Sequence, residues 1–119
     1  MSESVRSLGD LMTDARVLLQ DTRSPFRYRE ADLYTGLNAA LMQARRLRPD
    51  LFLGRFGREK FNYAPADSAQ PFPLAPWYWE AAVEFVVGRA ELREDEFTND
   101  GRAVALLNRF RAKLLTMEA

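Results

Sequence analysis

The stretch from Arg29 to Pro49, READLYTGLNAALMQARRLRP, constrains this chain more than any other. Leu33, Leu37, Ala40, Leu41, Ala44 and Leu47 recur at the spacing of one helix face. The other face carries Glu30, Asp32, Asn38, Gln43, Arg45 and Arg46. A chain holding such a helix must bury that stripe against other elements, so the stripe is the expected seam of the fold. Arg45, Arg46 and Arg48 crowd the last turns, where positive charge suits the helix dipole, and Pro49 disfavours helical geometry at Arg48. The start is weaker, because Arg29 stands where Ser, Thr or Asp would cap best.

Ahead of the seam, Ser7 and Asp10 match the two ends of a capping box. Leu8, Leu11, Met12, Ala15, Leu18 and Leu19 follow at helical spacing, which predicts a first helix over 8–20. Asp10 and Asp14 are expected to meet Arg16 on its solvent side. The connection 21–28, DTRSPFRY, is expected to be pinned to the core by Phe26 and Tyr28.

Behind the seam, residues 50–75 have no helical period and hold three of the chain's six prolines. A short hairpin built on Leu51, Leu53, Phe56, Phe61 and Tyr63, turning at 57–59, is one expectation. So aromatic a connection either folds back over the bundle or reaches a neighbouring subunit. Pro76 suits a helix first turn, and 77–95 is apolar round most of its circumference. Such a helix must be covered on more than one side, by the long connection or by another chain. A last helix follows a turn at 96–100 capped by Thr98 or Asn99. Its apolar face is Ala103, Leu106, Leu107, Phe110 and Leu114, and its basic face includes Arg102, Arg109, Arg111 and Lys113. The fold class is therefore all-α: a small four-helix bundle, one domain over 1–119, with a long loop between the second and third helices.

Chemistry is sparse. With no cysteine and no histidine, thiolate chemistry and the commonest metal ligand and general base are missing. No phosphate loop or serine elbow occurs. Glu80 with Glu84 and Glu91 with Asp95 share helix faces, but an acid–base pair needs its carboxyls across a cleft. No catalytic, cofactor-binding or metal site is expected, and the chain does not read as an enzyme. No run has the roughly 18 apolar residues of a membrane span, and the start, MSESVRSLGDLM, lacks the features of a signal peptide.

Charge is distributed unevenly in a chain of net charge zero. Residues 23–60 hold nine bases against four acids, and residues 80–100 hold seven acids against two bases. Opposed regions of this kind suit head-to-tail self-association, which closes into a ring when the rotation allows. The alternative is a small helical nucleic-acid-binding regulator whose arginines, set among aromatics, grip single strands.

The pattern from Ala15 to Phe52 resembles the N-terminal part of tailed-bacteriophage head–tail adaptor (connector or neck) proteins. Its marks are "L-x-D" at Leu19 to Asp21, then Arg27 and Tyr28, "L-x-x-L-N-x-A" from Leu33 to Ala39, and "R-P-D" at Arg48 to Asp50. A looser likeness runs from Pro73 through Ala90. The resemblance implies a structural virion protein, made in the host cytoplasm and placed in the neck. It implies a dodecameric ring that binds the portal, meets a tail or nozzle protein, and extends the channel for DNA contacted non-specifically. It implies no cofactor and no membrane. On that reading Arg45, Arg46, Arg48, Arg55, Phe56, Arg58, Phe61, Trp77 and Trp79 are expected at the subunit interface. Arg109, Arg111 and Lys113 are expected at the portal or the channel.

Overall fold

The computed structural model describes residues 6–52, 59–94 and 100–116. Four helices form the bundle: α1 (Leu8–Leu19), α2 (Glu30–Leu47), α3 (Trp79–Glu94) and α4 (Asp100–Thr116). Short 3-10 turns at Pro49–Phe52, Pro65–Asp67 and Pro76–Tyr78 punctuate the connections. Among the described residues there is no strand, only an isolated bridge between Ser7 and Pro71. Leu51 lies in a 3-10 turn, and Phe61 and Tyr63 lie in irregular chain, so neither flank forms the expected hairpin. The intervening residues 53–58 lie outside the described residues.

α1 begins as its sequence dictates. The Ser7 hydroxyl accepts from the Asp10 amide, and the Asp10 carboxylate accepts from the Ser7 amide. The next two orphan amides find acceptors in the long connection, Leu8 at Gln70 O and Gly9 at Ser68 O, both at 2.9 Å. Gln20, in the left-handed region at φ 56°, ends the helix. α2 starts at Arg29 with no side-chain cap, as its sequence suggests.

α3 is the central element. Every residue from Ala81 to Gly88 is buried, and α1, α2 and α4 all pack on it. Its circumference is therefore covered by its own chain, and its apolar character does not require a second one. The seam stripe of α2 is buried as expected at Leu33, Leu37, Ala40, Leu41 and Ala44. Tyr34 and Gly36 join it, and Gly36 lets α2 approach Val86 of α3 closely, with only ordinary contact left for a β-carbon.

The α3–α4 seam runs antiparallel and tighter. A β-carbon on Gly88 would lie 3.1 Å from the Ala103 carbonyl oxygen and 3.1 Å from Leu107 Cγ. Further along the same seam, the Phe85 and Phe110 rings pack at 4.6 Å between centroids. The long connection folds back over the bundle through 59–75. The Asn38 side chain exchanges two hydrogen bonds of 2.9 Å with the backbone of Tyr63, and Phe72 and Leu74 enter the core.

Candidate functional site

The polar positions of the sequence pattern are the joints of the fold. Asp21, 6% exposed, accepts from the backbone amides of Arg27 and Tyr28 at 2.8 and 3.0 Å and from Arg16 Nη1 at 2.7 Å. The same Arg16 nitrogen donates to Tyr28 O at 3.0 Å. Burial alone would raise the Asp21 pKa, but the two amides and the neighbouring guanidiniums outweigh it and hold the carboxyl below its ordinary value. Arg16 is thus not on the solvent side of α1: it is 8% exposed and closes the α1–α2 connection. Phe26 does not enter the core either. It is 50% exposed and lies under the Arg16 guanidinium, 4.2 Å from its centroid, while Tyr28 is buried.

The basic end of α2 divides. Arg45 Nε pairs with Glu59 Oε2 at 2.8 Å. Arg48 holds Asp50 through two nitrogens, at 2.9 and 2.7 Å, and donates to the Leu114 carbonyl, tying the end of α2 to the end of α4. The side-chain hydrogen bond from Arg48 lowers the Asp50 pKa. Arg46 is exposed and has no ion pair among the described residues.

The aromatic positions divide in the same way. Phe61 is half-buried and tilted on Phe52, with ring centroids 6.1 Å apart. Trp79 is buried: its indole donates to Asp14 Oδ2 at 2.8 Å and its ring meets Phe72 edge-on at 5.2 Å. That leaves it little surface for a partner. Trp77 is 52% exposed and remains outside. Arg55, Phe56 and Arg58 lie outside the described residues.

The basic face of α4 is largely engaged by α3. Lys113 Nζ donates to Glu80 Oε1 at 2.8 Å and Glu84 Oε1 at 3.2 Å, and Arg109 Nη2 lies 3.1 Å from Glu84 Oε2. Burial would lower the Lys113 pKa, but these two carboxylates raise it. Arg102 approaches Glu91 at 3.5 Å and donates to Leu18 O. Glu80, Glu84 and Glu91 therefore face bases of the same chain. These three acids are met within the chain, while the side chains of Glu94, Asp95, Glu96 and Asp100, the rest of that acidic region, lie outside the described residues. Of the α4 cations expected to meet a partner, Arg111 alone is exposed with no ion pair among the described residues. It shares an outer stripe with Val104, Asn108 and Leu115, all exposed and spaced along one face.

One concavity has no counterpart in the sequence pattern. A cavity of about 190 Å³ opens between the N-terminal half of α2 and α3, lined by Arg27, Tyr28, Arg29, Asp32, Thr35, Gly36, Arg89 and Ala90. Its one visible signal in the sequence is Arg89, a cation directly after the run 81–88. Among the described residues no group of three His, Cys, Asp or Glu side chains could hold a metal ion. No helix among them is long and apolar enough to cross a membrane. No family model, curated protein or solved structure matches this chain.

Proposed function

We propose that this chain is a structural virion protein, a head–tail adaptor that forms a ring between portal and tail and continues the DNA channel. One observation carries the reading. The polar residues through which the sequence resembles that family are the ones that set the joints: Asp21 with Arg27 and Tyr28, Asn38 with Tyr63, and Arg48 with Asp50. Residues that hold connections in place help to determine the fold, so a resemblance at these positions supports a resemblance in fold. The surface offered to neighbours is then Arg46, Trp77 and the outer stripe of α4 with Arg111. Trp77, Arg46 and Arg111 are of the residue types enriched at interface centres. The part played by Arg45, Arg48, Trp79, Arg109 and Lys113 on this reading is to shape the subunit through contacts within the chain.

The test is the mass of the protein by light scattering, alone and mixed with portal rings. Binding in a fixed, ring-like stoichiometry is expected. Absence of binding, together with a small oligomer that retards duplex DNA at moderate salt, would refute the adaptor and favour a nucleic-acid-binding regulator.

A further inference from the structure

The cavity between α2 and α3 has a chemistry that the adaptor reading does not use, and a ligand there depends on the cavity alone, whatever the chain assembles with. Its lining has three arginines and one acid among the described residues. Arginine presents a planar fork of donors that matches the oxygens of phosphate.

Two of these guanidiniums are braced before any ligand arrives. Arg27 donates to the Tyr28 hydroxyl at 3.2 Å and lies 5.1 Å from the centroid of its ring. Arg89 is half-buried and lies 5.9 Å from the Phe85 ring centroid. Aromatic faces attract guanidinium groups and restrict them, so less freedom is lost on binding. Arg29 adds a third cation to the lining. The Thr35 hydroxyl donates its proton to the Ala31 carbonyl at 3.0 Å, so the arginines and not this hydroxyl supply the donors of the lining. Gly36 contributes backbone alone to the lining.

We infer that this cavity binds a phosphate-type oxyanion, through Arg27, Arg29 and Arg89. A volume of about 190 Å³ accommodates a phosphate or pyrophosphate group but not a folded partner. Asp32 stands at the wall as the one opposing charge, so it limits affinity and its removal should raise it. The same chemistry could be supplied by a small free phosphate or by the backbone of a nucleic acid strand.

The experiment is an amide and arginine side-chain NMR titration of the whole protein at low salt. The probes are inorganic phosphate, pyrophosphate and a thymidine oligonucleotide of about ten residues, a typical single-strand site size. Saturable shifts centred on Arg27, Arg29, Thr35 and Arg89 are expected. Arg27→Gln and Arg89→Gln should each weaken binding at least tenfold, and Asp32→Asn should tighten it several-fold. Arg27 is exposed, so its variant reads the site even if Arg89→Gln perturbs packing against Phe85. An oligonucleotide that binds more tightly than pyrophosphate at these residues identifies a nucleic acid as the source. One that binds no better identifies a small free anion. No saturable shift from any probe, or shifts that Arg27→Gln leaves unweakened, would overturn the inference.

Discussion

Gly88→Ala and Gly36→Ala should change stability in opposite directions, although both place the same methyl on a buried helix position. In each case the helix gains about 0.5–1 kcal/mol from replacing glycine with alanine. At Gly36 the new β-carbon meets Val86 Cα at 3.6 Å, Val86 Cγ1 at 3.8 Å and Arg89 Cβ at 3.9 Å, ordinary contact distances. Nothing must move, and the added packing reinforces the propensity gain, for a net stabilisation of about 0.5–1.5 kcal/mol. At Gly88 the β-carbon would lie 3.1 Å from the Ala103 carbonyl oxygen, and 3.1 and 3.2 Å from Leu107 Cγ and Cδ2. Leu107 can turn, but the carbonyl belongs to the α4 backbone, so relief requires the helix to shift. Overpacking of this kind costs about 1–3 kcal/mol, which exceeds the propensity gain for a net loss of up to about 2 kcal/mol. Urea unfolding of the two variants and the parent, extrapolated linearly, reads the difference directly, provided the slope m is unchanged. The expected order is Gly36→Ala above the parent and Gly88→Ala below it. Equal stabilisation of both would mean that α4 does not lie against Gly88, and would refute the tight α3–α4 crossing.

Asp21→Asn should cost about 2–4 kcal/mol, because one amide oxygen cannot replace two carboxylate oxygens that accept from two backbone amides and Arg16. The pH sign comes from the lowered Asp21 pKa. Its contribution is complete above the unfolded-state value near pH 4 and is lost as pH falls through the lower folded value, so the parent should weaken below about pH 4 and the variant should do so less steeply. Thermal melts at stepped pH check both statements, and parallel curves would count against the Asp21 joint. Asn38→Ala should cost about 1–2 kcal/mol by stranding the Tyr63 amide and carbonyl. Hydrogen exchange should quicken first at 59–72, and uniform acceleration across the bundle would contradict a local clasp.

The helices were legible because each rests on local rules. The Ser7–Asp10 capping box, the stripe from Leu33 to Ala44 and the poor cap at Arg29 are all read within a few turns of chain. What was not legible depends on residues far apart in sequence meeting in space. Arg16 looks like a surface residue until Asp21 and the Tyr28 carbonyl turn back upon it, and Asn38 looks solvated until Tyr63 arrives from 25 positions away. The apolar circumference of α3 demands cover, but periodicity cannot say whether the cover comes from the same chain. Here α1, α2 and α4 supply it. The charge contrast between the two halves likewise could not reveal that Glu80 and Glu84 meet Arg109 and Lys113 across an antiparallel seam.

Ion pairs at the end of α2 change how assembly should be probed. Charge reversal of Arg45, Arg46 and Arg48 together would confound two effects, since Arg45 holds Glu59 and Arg48 holds Asp50 and the Leu114 carbonyl. Loss of a ring in that triple variant could report a damaged subunit rather than a damaged interface. Arg46→Glu separates them. Arg46 is exposed, so its replacement should alter monomer stability by no more than about 0.5 kcal/mol. An interface arginine reversed to glutamate, by contrast, places like or unsolvated charge against a partner and weakens assembly steeply. If the end of α2 is a subunit contact, Arg46→Glu should retain the parent's urea midpoint while losing the ring-like mass in light scattering with portal rings. Retention of both midpoint and assembly would exclude this end of α2. The contact would then fall to Trp77 or to the outer face of α4, where Arg111→Glu poses the same question between exposed Val104 and Leu115.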